Sequence, residues 1–147
     1  MCTVFALLLC VPVAGMAQEG GDWRAADSSA KGTTGDVAFS GEKIIINFSS
    51  FTIAEIRALK PDEMTAAFDA DPAALGSGHI FRLSIPAEKR FLHKNTLCGS
   101  EETQYVVSYV SGKTLQLAFF SGASMPVLSV DALANGGNLC GVFSYTR

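Results

Sequence analysis

The 147-residue chain carries 11 Lys and Arg against 14 Asp and Glu, a net charge of -3 with both signs scattered along its length. That balance argues against a nucleic-acid binder, which needs a strongly basic face. Four cysteines and two histidines show no zinc-ligand spacing, and no phosphate-cradling glycine pattern occurs, so neither a metal nor any other cofactor is expected.

Residues 1–17 read as an export signal. An apolar block from Val4 to Val13 is followed by the small residues Ala14, Gly15 and Ala17, which fit a signal-peptidase site and place the mature start near Gln18. The block is shorter than the roughly 20 residues that span a bilayer. No Lys or Arg precedes it, a departure from the usual pattern. Cys10 raises lipidation as an alternative, against which stands the bulky Leu9 before it. With no later anchoring run, soluble export to the periplasm is the expectation.

Residues 18–35 are rich in Gly, Ser, Asp and Ala, with Trp23 the one large apolar residue. Such a composition reads as a flexible tether, unless Trp23 pins it to the domain. Residues 36–147 then read as a single β-rich domain. Alternation marks Val37–Phe39 and Ile44–Phe48 as strands, with Ser40-Gly41-Glu42 turning between them. Phe51–Ile53 continues as a strand, or Ile53, Ile56 and Leu59 share a helix face; both readings stand. Pro61-Asp62-Glu63 is a helix entry, which predicts a short helix to about Asp69.

The second half alternates more clearly. Phe81, Leu83 and Ile85 form one set, Tyr105, Val107 and Tyr109 a second, and Leu115, Leu117 and Phe119 a third. Ser111-Gly112 suits a tight hairpin between the last two. Met125–Val130 is a candidate strand, Asp131–Asn138 an exposed loop, and Val142–Tyr145 the closing strand. The fold class expected is mainly all-β: a small antiparallel barrel or sandwich of seven or eight strands, with one short helix.

Loss of the signal leaves Cys98 and Cys140 as the mature cysteines, and two cysteines in an oxidising compartment pair. No catalytic residue is singled out. The carboxylates cluster in turn and helix-entry settings, and there is no nucleophile elbow, so no enzyme activity is expected. Two kinds of segment remain as candidate binding sites. Ser111, Lys113, Ser121, Gly122 and Ala123 lie where strands end, and loops on a rigid β scaffold commonly bind. Lys89, Arg90, His93 and Lys94 form the densest basic segment, suited to an acidic partner or anionic glycan, with Phe91 and Leu92 beside them. Asn47-Phe48-Ser49 matches a glycosylation sequon but falls on an expected strand.

Asn95–Gly99, Tyr105–Val107, Leu115–Gly122 and Leu139–Phe143, with an early Gly35–Ser40 segment, resemble a family of small exported, mainly alphaproteobacterial, two-cysteine proteins. That family is similar in turn to the periplasmic inhibitors of peptidoglycan hydrolases and C-type lysozyme, small disulfide-closed β-barrels. The resemblance implies that Ser121-Gly122-Ala123 enters an enzyme cleft, with Gly122 allowing close approach. Ser124-Met125 departs from the basic residue and tyrosine that follow in those inhibitors, and Lys113 is the candidate for the missing charge. The function so implied is binding and inhibition of a peptidoglycan-cleaving enzyme of the lysozyme or lytic-transglycosylase type. The alternative is a noncatalytic protein recognising peptidoglycan or another envelope component through Lys89–Lys94.

Overall fold

A computed structural model describes residues 18–147; the expected export signal, with Cys2 and Cys10, lies outside the described residues. Nine strands are formed: β1 (Gly21–Ala25), β2 (Val37–Ser40), β3 (Lys43–Ile46), β4 (Ser49–Thr52), β5 (Ala54–Ala58), β6 (Ser77–Ile85), β7 (Thr103–Ser111), β8 (Thr114–Ser121) and β9 (Leu139–Thr146). Three short helices join them: α1 (Ser28–Gly32), α2 (Pro61–Phe68) and α3 (Val130–Asn135). All strand pairs are antiparallel, in the order β4-β3-β2-β1-β9-β8-β7-β6-β5. The two outermost strands, β4 and β5, are consecutive in the chain and are joined through buried Ile53. The sheet therefore curls until its edges nearly meet, which leaves little edge exposed. The result is the expected antiparallel β fold, a nearly closed barrel with slightly more strands than the pattern suggests.

Buried side chains form two clusters. Trp23, Ile44, Ile46, Leu83, Ile85, Leu115, Leu117, Phe119 and Tyr145 fill the interior. The outer face of β6–β8 is buried as well, with Ile80, Tyr105, Val107, Tyr109 and Phe120 lying beneath Met64, Phe68 and Leu128. Phe68 stacks on Tyr109 with centroids 5.6 Å apart. Double burial is why β7 and β8 are almost continuously apolar. It also sends Tyr105, Val107 and Tyr109 outward but Leu115, Leu117 and Phe119 inward, so these two alternating sets serve different cores.

Residues 18–35 are not a tether. They form β1 and α1, and β1 lies between β2 and β9 at the middle of the sheet. Trp23 is fully buried, and its indole Nε1–H donates to the Glu19 carbonyl at 2.8 Å. Asp27 caps α1 through the Ala30 N–H (2.7 Å), and its other oxygen accepts from the Ser144 N–H on β9 (3.1 Å). The Thr34 hydroxyl meets the buried Tyr145 hydroxyl at 2.6 Å. Polar side chains here hold backbone and neighbouring strands together, and one tryptophan supplies the apolar burial.

The stretch from Phe51 to Leu59 is extended, running through β4 and β5 with Ile53 between them, and not helical. α2 begins at the expected proline and ends with Asp69 in the left-handed region. Its Glu63 caps the Lys60 N–H (2.9 Å) and takes a bidentate pair from Arg57 (2.6 and 2.8 Å). That partner holds the Glu63 carboxyl below its ordinary range, against the opposing effect of desolvation. Met125–Val130 adds no strand, and the loop expected over Asp131–Asn138 contains α3 instead. Ser129 caps it by accepting from the Ala132 N–H at 3.2 Å.

Candidate functional site

The Cys98–Cys140 disulfide is formed, with the Cα atoms 5.0 Å apart. It ties β9 to the loop before β7, beside both ends of the Leu-Cys-Gly segments. Leu97 is buried below it, and the Thr103 hydroxyl lies 3.1 Å from the Cys98 sulfur. The bond is a brace for the loops that follow and precede it.

Ser121 ends β8 and is 2% exposed. Its backbone N–H donates to the Asn138 carbonyl at 2.9 Å, and its hydroxyl reaches the same carbonyl at 3.4 Å. Gly122 has φ +88°, a conformation that favours glycine, and a Cβ there would crowd the Asn138 side-chain amide at 3.2 Å. Ala123 is exposed, its carbonyl fixed by the Tyr105 hydroxyl at 2.9 Å. The turn is thus rigid, with Ala123 at its tip and Ser121 committed inward.

Lys113 and Ser111 sit elsewhere. They belong to the β7–β8 hairpin, whose two-residue turn Gly112-Lys113 is closed by the Ser111–Thr114 pair. The eight residues of β8 separate this hairpin from Ser121, a span of roughly 25 Å at strand rise. Lys113 therefore does not supply charge to the Ser121–Ala123 turn.

Lys89–Lys94 forms a tight loop. Phe91 is buried with the Lys89 ammonium 5.8 Å from its ring centre, and Arg90 donates to the Lys94 carbonyl at 3.1 Å. Arg90, His93 and Lys94 are exposed, the last two with φ of +54° and +62°. Phe91 anchors this segment and the charges face solvent. The sequon Asn47-Phe48-Ser49 is also not on a strand: Asn47 and Phe48 form the two-residue turn between β3 and β4.

Two features have no local signature in the sequence. The first is an apolar surface next to Ala123. Met125, Val127, Val130 and Leu139 are exposed there, Val127 and Val130 by about two thirds. Met125, Val127 and Leu139 line a cavity of about 220 Å³ that reaches down to Phe120 and Leu133, and Val130 opens the helix that follows. Large apolar side chains gathered in this way mark interaction surfaces more often than scattered single ones do.

The second is a polar cluster inside the barrel. Glu19 is 1% exposed. Its Oε1 accepts from the Ser108 hydroxyl at 2.7 Å and lies 2.7 Å from His79 Nδ1. His79 Nε2 faces Glu55 at 3.6 Å, and Glu19 Oε2 has no partner among the described residues. This is not the geometry of an activated nucleophile. Ser108 donates to the carboxylate instead of to the imidazole, and both imidazole nitrogens face carboxylates. The cluster fastens the chain's first described turn to β6 and β7.

Among the described residues no His, Cys, Asp and Glu group is arranged to hold a metal, and no helix is long and apolar enough to cross a membrane. Comparison of the chain with protein-family models, curated proteins and solved structures finds no match.

Proposed function

We propose that this chain is a noncatalytic, exported envelope protein that binds and restrains a peptidoglycan-cleaving enzyme. The observation that carries this reading is the apolar surface formed by Met125, Val127, Val130 and Leu139 beside the rigid Ala123 turn. Its position supports it, because it adjoins the one turn that resembles the cleft-entering loop of lysozyme inhibitors. A pinned turn loses little freedom on docking, which is where a small binder gains its affinity. The role first expected of Ser121 shifts accordingly. Ser121 holds the turn, while Ala123 and its apolar flank meet the partner.

Titration of the mature protein into lysozyme and lytic-transglycosylase assays tests the proposal. Inhibition at micromolar protein is expected in one class, weakened roughly tenfold or more by Val127→Asp with Val130→Asp, as for loss of an interface centre. Full activity of both enzyme classes at that concentration, or inhibition indifferent to the double substitution, overturns it.

A further inference from the structure

The outer face of β1–β3 lies away from α2 and α3 and holds a second cavity, of about 390 Å³. Its floor is a cross-strand row, Asp22 opposite Ala38 and Ala38 opposite Ile45. Arg24 and Asp36 stand beside this row on the neighbouring positions of β1 and the turn into β2. Asn47 and Phe48 close the far side. Asp22 and Arg24 are exposed, and the ion pairs of the described residues engage Arg57 and His79, not these two. Asp36 is partly committed, accepting from the Ala25 N–H at 2.9 Å.

Phe48 is the unusual member. It is 97% exposed, so its ring adds nothing to either core, and its φ is +67°. Asn47 before it, at φ +46°, tolerates the left-handed region, but a bulky aromatic residue does not. The second place of such a two-residue hairpin turn favours glycine. A side chain kept against both local sterics and solvation points to a role in binding.

We infer that this cavity binds one or two pyranose rings of a saccharide. A pyranose presents an apolar C–H face and a rim of hydroxyls that both donate and accept. The Phe48 ring offers a flat apolar surface for the first, and Ala38 and Ile45 continue it along the floor. For the rim, Asp22 accepts, Arg24 donates and the Asn47 amide does both. The mixed charges favour neither a strong anion nor a strong cation, and the volume falls in the range of small-molecule sites. This site shares no residue with the surface assigned above to a protein partner, so its failure would leave that assignment untouched.

Calorimetric titration of the mature protein with chitotetraose, cellotetraose and maltotetraose tests the inference. At least one should bind with a dissociation constant in the range of about 10 µM to 5 mM. Phe48→Gly is the decisive variant. Glycine relieves the turn, so the urea midpoint should hold or rise while affinity falls roughly tenfold or more. Phe48→Tyr should retain binding. No heat with any of the three sugars at about 10 mM, or unchanged affinity in Phe48→Gly, overturns the inference.

Discussion

Trp23→Ala should remove a large share of the domain's stability, although Trp23 lies in a segment whose composition suggests a tether. The side chain is fully buried. A tryptophan buries roughly 200 Å², which at about 25 cal/mol per Å² is worth about 5 kcal/mol, of which alanine recovers about 1. Its indole N–H also satisfies the Glu19 carbonyl, and the Arg147 guanidinium lies 4.1 Å from the ring centre. Losing those contacts adds about 1 kcal/mol. The sum, about 5 kcal/mol, is comparable to the entire stability of a marginal domain. Trp23→Phe keeps most of the apolar area and should cost only about 1–2 kcal/mol. Urea unfolding followed by circular dichroism reads both variants without depending on the lost fluorophore. A Trp23→Ala loss under about 1 kcal/mol, within the range of an ordinary surface change, would refute the view that β1 is an integral strand whose Trp23 fills the core.

Two further outcomes are expected. Replacing Cys98 and Cys140 together by alanine reopens a loop of sequence separation 42. In the chain-entropy treatment this costs about 4 kcal/mol; an unchanged urea midpoint would contradict it. Glu63→Gln removes the Arg57 pair, and because the folded carboxyl lies below its ordinary 4.5, the sign is fixed. The pair contributes above the unfolded value and is lost as pH falls through the folded one. Solvent screens the partly exposed Arg57, so a loss of at most about 1 kcal/mol is expected at pH 7. Equal losses in urea unfolding at pH 7 and pH 3 would count against this account.

The parts legible in the sequence are those whose signal is local. Leu115, Leu117 and Phe119 alternate over a turn-bounded run, and Ser111-Gly112 announces the hairpin before it. Pro61-Asp62-Glu63 announces α2 in the same way. The illegible parts depend on partners far along the chain. Ser108 and His79 meet Glu19 across separations of 89 and 60 residues, which no window can register. β1 turns one large side chain inward, Trp23, with the small Ala25 packed beside the core, and Asp22 and Arg24 face solvent, so its composition stays polar. Alternation also misleads at Phe48, where the apolar period runs on past the strand. The pairing of Ile46 with Ser49 makes that residue a turn. Ser129 before Val130 and Asp131 is a helix entry that the following Asn135-Gly136-Gly137 obscures. Lys113 precedes and Ser121 ends one eight-residue strand, whose two ends cannot serve the same small site.

Strand order explains why so much rests on the two chain ends. The sheet's edge strands β4 and β5 are linked covalently through Ile53, whereas strand pairing joins the N-terminal hairpins to the C-terminal half only where β1 meets β9. That seam is short, pairing Arg24 with Thr146 and Ala25 with Tyr145. Backbone pairing over two residues would not hold two halves of a barrel in register by itself. The remaining contacts converge on the same place. Asp27 bonds across to Ser144, Thr34 to Tyr145, and Arg147 covers Trp23. The loop before β7 is tied to α1 through Leu92 to the Thr33 carbonyl and Asn95 to the Gly32 carbonyl. Cys98 in that loop is bonded to Cys140 on β9. The disulfide thus ties the Cys98 loop to β9 on one side of this weak seam, while Trp23, beside Arg147, fills the core on the other. The polar N-terminal segment and the disulfide are parts of one device, which holds the last strand against the first and so fixes the Asn138 carbonyl on which the Ser121 turn depends.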